Sequence, residues 1–350
     1  MFNPDYRNML AVMRNERPAR LPVYEHVINF DSIENITGKK FARLAHSEKP
    51  ADLAEFFRQY CAFWRDMTYD TVSYEVCIGQ FVDGNAISGG AGPIQTRADF
   101  EAFPWDEIPG RWWAYAEPRF DALRAALPAG MKAVGGVGNG AFELAEAFTG
   151  LEHLPLMAAD DPGLHDALYD KIGWLMETVW EKFLPRYKDI FVAGRFGDDL
   201  GYKCSLLTHP GVVRRNIIPQ YRRVIATIHN AGLPLLYHSC GCIFEVMEDI
   251  IGAGINAKHS NEDAIAPFET WIERHGSHIG LLGGFDMDFL CLKNAAEVRA
   301  AVVERGTRFR AMAKGYALGS GNSIPAYLPP ENYLAMLDAA REIREREAKK

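Results

Sequence analysis

The chain has 350 residues, of which 48% are hydrophobic and 24% charged, an ordinary globular composition. Its net charge of −8, with lysine and arginine scattered along the sequence, argues against nucleic acid as the main ligand. No stretch reaches the ~18 apolar residues of a membrane span, and the amino terminus lacks the apolar core of a signal peptide. We therefore expect a cytoplasmic protein with neither a nucleic-acid nor a membrane partner.

Strand-like apolar runs alternate with helical patterns along nearly the whole chain. Eight runs are predicted as strands: Leu21–His26, Thr71–Glu75, Lys132–Val137, Ile190–Arg195, Leu233–Tyr237, Ile255–His259, Ile279–Phe285 and Gly315–Gly319. Each is followed by a helix or an extended loop. Eight β–α repeats at this length predict an α/β protein with a single (β/α)8 TIM barrel over residues 1–350. A doubly wound open sheet is the alternative architecture.

Two segments fall outside this alternation. Residues 1–20 are amphipathic and charged, and we predict a helix there. Residues 77–109 form the longest irregular stretch and are rich in glycine. Because their hydrophobic content argues against disorder, we predict that they cover the mouth of the barrel.

The fifth predicted strand ends abruptly in a histidine and a cysteine. His238 and Cys240 are two residues apart, so on an extended strand they face the same side and can reach one ion. Imidazole and thiolate suit zinc, and ligands bind at the carboxyl ends of parallel strands. A catalytic zinc needs a third protein ligand. By position alone, four residues are candidates for this third ligand: Glu25, Glu75, Asp199 and Asn322. Of these, we assign Glu75 to the metal site.

The remaining strand ends supply mostly carboxylates. Adjacent carboxylates in a cleft can hold a cation or orient a protonated partner, although an aspartate before a helix is also a common cap. The residues assigned to catalysis on this basis are Asp198, Asp199, Glu25 and Asp286. Polar side chains at three further strand ends are assigned to cofactor binding: Asn139, His259 and Asn322.

Six short motifs follow one another in a specific order and spacing: Gly140–Ala145, Asp160–Pro162, Gly197–Gly201, His238–Gly241, Gly283–Asp286 and Pro330–Asn332. Together they resemble the uroporphyrinogen decarboxylase superfamily, and within it the corrinoid-dependent methyltransferases. The resemblance covers about Thr68 to Ala340. It implies a (β/α)8 barrel that moves a methyl group to or from the cobalt of a corrinoid.

The resemblance also bears on the metal ligands and the substrate. In the coenzyme M methyltransferases of this family, His-x-Cys and a distant cysteine bind zinc, and His238 and Cys240 match the first two. The position of the distant cysteine corresponds to Asn322. This departure argues against activation of the thiol of coenzyme M. It is compatible with an enzyme that acts on a methyl donor, such as a methoxylated aromatic. Four aromatic side chains can wall a flat pocket for such a donor, or alternatively belong to the core: Phe81, Phe142, Phe196 and Tyr237.

A corrinoid-binding module is not visible, because its Asp-x-His-x-x-Gly signature is absent. The implied cobalamin would therefore come on a separate corrinoid-binding protein, alongside a small-molecule methyl donor or acceptor; a homodimer is also compatible with the sequence. Two alternatives stay open: a uroporphyrinogen-type decarboxylase and a non-catalytic corrinoid- or ligand-binding barrel. The decarboxylase has an arginine-rich amino-terminal motif, whereas here Glu25 and His26 take the strand end.

Overall fold

The computed structural model describes residues 2–87 and 89–349. Within these residues, seven parallel strands form one sheet in consecutive order: β1 Thr71–Cys77, β2 Lys132–Gly138, β3 Phe191–Gly197, β4 Leu235–His238, β5 Ala257–His259, β6 Gly280–Phe285 and β7 Tyr316–Ser320. A doubly wound sheet reverses its strand order, so the unbroken order shows the TIM-barrel-like architecture.

Helices connect the strands and surround the sheet. They are α1 Arg7–Met13, α2 Phe30–Thr37, α3 Pro50–Asp66, α4 Arg97–Ala102, α5 Glu107–Ala126, α6 Ala141–Thr149, α7 His153–Asp160, α8 Pro162–Tyr187, α9 Pro210–Val212, α10 Ile218–Asn230, α11 Met247–Gly252, α12 Phe268–His275, α13 Met287–Leu292, α14 Ala295–Met312 and α15 Pro330–Ala348. Short 3-10 helices span Ala42–His46 and Ile78–Phe81, and a π-helical turn spans Val213–Ile217. None of the described helices is both long and apolar enough to cross a membrane.

The predicted first strand, Leu21–His26, is not a strand in the structure. It forms one parallel bridge, between Val23 and Leu318 of β7. Pro22 has no N–H to donate, so the segment cannot form a regular ladder. On its other side the hydroxyl of Ser73 in β1 donates to the last carbonyl of the segment. The prediction of eight strands is therefore wrong by one, although this segment contacts both edge strands.

The predicted helix over residues 1–20 is confined to α1, Arg7–Met13. Asn15 adopts a left-handed conformation (φ 51°), which ends the helix. Met9 and Val12 pack with Val192 and other side chains inside the sheet. Helix α1 thus closes the amino-terminal end of the barrel.

The segment 77–109 is more regular than predicted. It contains α4, whose start is fixed by a capping box of Thr96 and Asp99, and α5 begins within it. The backbone N–H of Ile94 donates to the carbonyl of Phe148 in α6. The segment therefore lies along α6, which follows the carboxyl end of β2.

The main core lies between the sheet and the surrounding helices. Phe120 of α5 and Phe183 and Trp180 of α8 are completely buried there. Each fully buried phenylalanine contributes about 1.5–3 kcal/mol to stability. Hydrophobic packing between the sheet and the helices therefore stabilises the barrel.

Candidate metal centre at the carboxyl end of the sheet

His238 and Cys240 lie where β4 ends. In the parallel register His238 stands opposite Gly197 of β3 and His259 of β5. The chain then turns at Gly241, which has a positive φ of 80°. A side chain there would collide with the backbone of Gly201, so only glycine allows this close approach. The turn holds Cys240 beside His238 at the carboxyl end of the sheet.

Asp199 joins these two side chains in one metal-capable group. The Sγ of Cys240 lies 3.5 Å from Nε2 of His238, and that nitrogen lies 3.9 Å from Oδ1 of Asp199. Asp199 is held in place because the backbone N–H of Cys240 donates to its Oδ1 (2.8 Å). Two ligands of one tetrahedral zinc are roughly 3.3–3.8 Å apart. The sulfur–nitrogen separation lies within this range, the nitrogen–oxygen separation lies just above it, and all three donor atoms lie within 4.8 Å of one another. A small movement of Asp199 would bring the three donor atoms onto a single zinc ion.

A chain of hydrogen bonds fixes the tautomer of His238. Nε2 of His259 lies 3.0 Å from the carbonyl oxygen of Ser320, which can only accept, so this nitrogen carries the hydrogen. Burial lowers the pKa of His259 to about 3, so the ring is neutral and its Nδ1 accepts. Nδ1 of His238, 2.9 Å away, then donates to it. Nε2 of His238 is left with a free lone pair facing Cys240 and Asp199, as a metal ligand requires.

A second group of donors, His26, His238 and His259, also lies within 4.8 Å. The Nδ1–Nδ1 separation of 2.9 Å between His238 and His259 is that of a hydrogen bond and too short for two ligands of one zinc ion. His26 stacks on His238 with ring centroids 3.8 Å apart. His26 and His259 therefore orient the ring of His238, and the group that could hold a metal is the one beside Cys240.

The sulfur of Cys240 receives two further polar contacts. Nδ2 of Asn322 donates to it at 3.3 Å and the hydroxyl of Ser260 at 3.6 Å. Ser260 has a positive φ of 93°, a strained conformation for a residue other than glycine. Burial, and then the charge of Asp199, raise the pKa of Cys240 to about 12. A thiolate forms here only with strong positive compensation, which a bound cation supplies.

Lys258 brings a positive charge next to this group. It is almost fully buried, and its Nζ donates to the carbonyls of Ser260 (2.5 Å) and His259 (3.3 Å). The ammonium lies 4.2 Å from the ring centroid of Trp271. Burial lowers the pKa of Lys258 to about 8. Its Nζ also donates to the carbonyl of Ser239, the residue after β4 (3.4 Å). Lys258 thus connects the ends of β4 and β5, offsets the negative charge of Asp199, and favours a thiolate at Cys240.

Glu75, which was assigned to the metal set from its position, does not join it. Its Oε2 accepts a hydrogen bond from Nε of Arg195 (2.8 Å), and that guanidinium is buried. Arg195 also donates to the hydroxyls of Tyr24 and Ser73. A buried cation without a carboxylate is strongly unfavourable, and this is the physical reason why Glu75 pairs with Arg195. Asp199 takes the third position in the metal-capable group.

Asp198 is a structural partner of α6. The backbone N–H groups of Phe142 (2.9 Å) and Glu143 (2.7 Å) donate to its two carboxylate oxygens, and the hydroxyl of Tyr221 donates at 2.5 Å. Burial raises the pKa of Asp198 to about 6, although these hydrogen bonds oppose the shift. Asp198 therefore caps the helix and positions its neighbour Asp199, and the predicted catalytic pair divides into one positioning residue and one metal-capable residue.

The other two predicted catalytic carboxylates also lie outside the metal-capable group. Asp286 caps α13 by accepting from the N–H of Asp288 (2.7 Å), and it accepts from the N–H of Asp263 (2.9 Å) as well. Glu25 is completely buried and accepts from the N–H of Ser320 at 3.0 Å. Burial raises the pKa of Glu25 to about 8, so it holds a proton at neutral pH.

The three residues predicted to bind a cofactor occupy different places. Asn139 accepts from the N–H of Gly79 (3.0 Å) and donates to Glu143 (2.8 Å), which connects the end of β1 to α6. His259 orients His238, and Asn322 contacts Cys240. Their binding of a cofactor stays a prediction.

The predicted aromatic pocket is not formed. Phe142, Phe196 and Tyr237 are at most 1% exposed and belong to the core, because they pack around the buried Asp198 and Tyr221. The alternative interpretation, that these side chains are core residues, is the one that the structure supports for these three. Phe81 is only partly buried and packs edge-on against Tyr115.

Sequence reasoning missed the parts played by Ser260, Lys258 and Glu143. A lysine within a buried strand was a usable signal for Lys258, because such a charge needs compensation. For Ser260 no signal existed, since its orientation depends on a left-handed backbone conformation. Burial, and then the charges of Asp198 and Asp199, raise the pKa of Glu143, which adds an acid beside the site.

Comparisons with known proteins agree with this architecture. The family model described as uroporphyrinogen decarboxylase (URO-D) matches residues 206–343, a span that includes His238, Cys240 and Asn322 but begins after Asp199. A sequence comparison with curated proteins finds no match.

Two solved structures share the fold. A methyltransferase from Methanosarcina mazei aligns with a TM-score of 0.75 and 14% identity over 96% of this chain and 97% of that chain. A protein described as a vitamin-B12-independent methionine synthase from Listeria monocytogenes aligns with a TM-score of 0.52 and 13% identity over 99% and 98%. At these identities the likeness concerns the fold alone. The resemblance to the uroporphyrinogen decarboxylase family, predicted from six sequence motifs, is thus confirmed by the family model over residues 206–343.

Proposed function

We propose that this protein is a methyltransferase that moves a methyl group between a small molecule and the cobalt of a corrinoid carried on a partner protein. Zinc would be held by Asp199, His238 and Cys240. The observation that supports the proposal most is the convergence of these three donors at the carboxyl end of a barrel whose fold is shared with methyltransferases.

The residues around the ion have separate tasks in this proposal. A bound zinc ion would act as a Lewis acid. It would stabilise the charge on the oxygen, nitrogen or sulfur atom that loses or gains the methyl group. His259 holds His238 in the tautomer that can bind a metal, and His26 stacks on its ring. Lys258 offsets the combined negative charge of Cys240 and Asp199.

The donor set favours a reaction that begins from a methyl donor. It contains one sulfur, because Asn322 stands where the resemblance places a second cysteine. A carboxylate gives less electron density to zinc than a thiolate does, and hydrogen bonds to the sulfur of Cys240 withdraw more. A more electrophilic ion is suited to an oxygen or nitrogen leaving group. Since the aromatic pocket is not formed, methoxylated aromatics remain one candidate class among such donors.

The surface around the mouth supports a protein partner. The exposed side chains Leu151 and Leu207 line one cavity of about 450 Å³ together with Leu154 and Val212, in the segments that follow β2 and β3. Exposed apolar side chains around one cavity are typical of a contact with another molecule. A corrinoid protein docked on this face would bring its cobalt to the metal centre.

Charge argues against the decarboxylase alternative. A substrate with many carboxylates needs cationic side chains that can reach it. Among the cations at this end of the sheet, Arg195 and Lys258 are at most 2% exposed and already bonded within the protein. The carboxylate of Asp199, beside His238, would repel such a substrate.

The experiment is a methyl-transfer screen with zinc-loaded protein and Co(I) cobalamin. Phenyl methyl ethers, methylamines and methyl thioethers serve as donors, and the absorption spectrum of the cobalamin reports the transfer. We expect a spectral change with at least one oxygen or nitrogen donor and none with the Cys240→Ser variant. Release of carbon dioxide from uroporphyrinogen, with no response to any donor, would contradict the proposal. Zinc binding without turnover of any kind would support the non-catalytic barrel instead.

A further inference from the structure

The end of the barrel opposite the metal centre carries a cleft rich in cationic side chains. It lies where α14 and α15 end, beside the residues that precede Leu21, and encloses about 510 Å³. We call it the basal cleft and define it by its six polar lining residues: Arg17, Thr307, Arg310, Arg346, Glu347 and Lys349. Ala311 and Ile343 complete its lining. A neighbouring cavity of about 480 Å³ shares Arg17, Arg310 and Glu347 with it.

The charge of the basal cleft is opposite to that of the whole chain. Four of its six defining residues are cationic and one is a carboxylate, in a protein whose net charge is −8. Glu347 is shared between two guanidinium groups, Arg310 at 3.0 Å and Arg17 at 3.5 Å. Arg346 pairs with Glu342 on its own helix, and Glu342 also pairs with Arg299. Because both carboxylates are shared between two arginines, the positive charge at this end is only partly compensated from within the protein.

Arg310 shows most clearly that the positive charge of the cleft lacks sufficient partners within the protein. This residue is 3% exposed. Its Nε donates to Glu347 (3.0 Å) and its Nη2 donates to the carbonyl of Pro18 (2.6 Å). Its Nη1 is buried and has no hydrogen-bond partner. A buried donor without a partner is unfavourable, and more so when it is charged. Burial lowers the pKa of Arg310, although Glu347 opposes the shift. An anion in the cleft would supply the compensation that the chain lacks.

We propose that the basal cleft is a binding site for a small phosphate-bearing molecule. Guanidinium groups pair with phosphate through parallel N–H bonds, and three arginines surround this cavity. A phosphate presents oxygens in several directions and up to two charges, which matches arginines on separate elements better than a planar carboxylate does. The volume lies within the ~300–1,000 Å³ of ordinary small-ligand sites.

The binding site is separate from the metal centre. Helix α1 closes the barrel between them, and the lining residues of the cleft belong to α14, α15 and the amino-terminal segment. Occupancy of one site requires nothing of the other, so failure of this inference and failure of the proposed methyl transfer can be told apart.

Titration calorimetry with inorganic pyrophosphate at low salt tests the inference. We expect binding of one pyrophosphate per chain, weakened roughly tenfold or more by Arg17→Ala and by Arg346→Ala, since hydrogen bonds to charged groups contribute about 1.5–3 kcal/mol. Both side chains are more than half exposed, so the fold should survive their removal. Arg308→Ala is the control, because Arg308 is an exposed arginine on α14, a helix that lines the cleft, but pairs with Glu269 outside the cleft.

Each result of the titration supports or overturns the inference. Cys240→Ser should bind pyrophosphate as the unsubstituted protein does, which separates the cleft from the metal centre. Absence of binding at millimolar pyrophosphate, or equal affinity in Arg17→Ala, Arg346→Ala and the unsubstituted protein, would overturn it. Tighter binding of citrate than of pyrophosphate would overturn the assignment to phosphate. Binding to phosphatidylglycerol vesicles without binding of pyrophosphate would assign the cleft to a lipid surface and overturn the small-molecule proposal.

Discussion

The two ends of the barrel differ in charge and in how their polar groups are satisfied. At the carboxyl end, backbone N–H groups hold Asp198 and Asp199, and the donor atoms of Cys240 and His238 converge beside them. At the amino-terminal end α1 fills the barrel, and the cations of the basal cleft outnumber their partners. Loops that follow strands can vary without disturbing the core, so one fold presents a metal-capable, acidic end and a cationic end.

Removal of the thiol at the acidic end gives the largest expected effect. Cys240→Ser should lower zinc affinity by at least about 100-fold, because the site loses its one sulfur donor and outer contacts alone account for 10–100-fold. The unfolding free energy of the metal-free protein should change by less than about 1 kcal/mol. Competition with a chromophoric chelator measures the affinity.

The exposed Cys204 provides the control for this variant. Cys204→Ser should bind zinc as the unsubstituted protein does. Equal zinc affinity in the two serine variants would show that Cys240 does not bind zinc.

A matched pair of carboxylate variants sharpens the contrast within that end. Glu75→Gln should lower stability by about 3–5 kcal/mol, because it leaves the buried Arg195 without its carboxylate, and should leave zinc affinity nearly unchanged. Asp199→Asn should do the reverse, with zinc affinity lowered about 10–100-fold and little change in unfolding. Chemical denaturation measures stability, and chelator competition measures zinc affinity. Loss of zinc affinity in Glu75→Gln, with none in Asp199→Asn, would show that Glu75 is the metal ligand.

The protonation of Glu25 gives a pH-dependent effect. Burial raises the pKa of Glu25 to about 8 in the folded protein from 4.5, so the unfolded chain loses this proton first as the pH rises. The stability contributed by protonated Glu25 is therefore present below pH 4.5 and is lost progressively towards pH 8. Relative to the unsubstituted protein, Glu25→Gln should gain stability on the order of 3 kcal/mol between pH 5 and pH 8. A constant difference across this range, measured by denaturation, would show that Glu25 is ionised when folded.

The smallest effect concerns the amide that contacts the sulfur. Asn322→Ala removes the hydrogen bond to Cys240 and should change zinc affinity by a few-fold, the equivalent of about 1 kcal/mol. The absorption of the cobalt-substituted protein should shift in its sulfur-to-metal charge-transfer band. Asn322→Cys should instead raise the affinity, since it offers a second thiolate. An unchanged spectrum in Asn322→Ala would show that the amide does not act on the bound sulfur.

Local patterns in the sequence predicted His238 and Cys240, because strand parity and a following glycine are properties of adjacent residues. The third ligand was not determined in this way: the contact between Asp199 and Cys240 spans 41 positions, and the pair of Glu75 with Arg195 spans 120. The sequence pattern predicted several carboxylates near the site. Only the structure shows that Asp198 caps α6 and that its neighbour Asp199 lies in the metal-capable group.

The fold was predicted to a similar depth. The alternation of elements gave the barrel-like architecture and seven of its strands. Apolar periodicity did not reveal that Pro22 prevents a regular eighth strand, because the missing donor matters only once the partner β7 is in place. The cationic end was equally hidden, since Arg17, Arg310 and Arg346 are distant in sequence and meet only after folding.

X-ray absorption at the zinc edge of zinc-loaded protein tests the central claim most directly. The account predicts one zinc per chain with a single sulfur ligand, at least one imidazole nitrogen and oxygen in the remaining positions. Two or more sulfur ligands, or a protein that retains no zinc after loading, would contradict it.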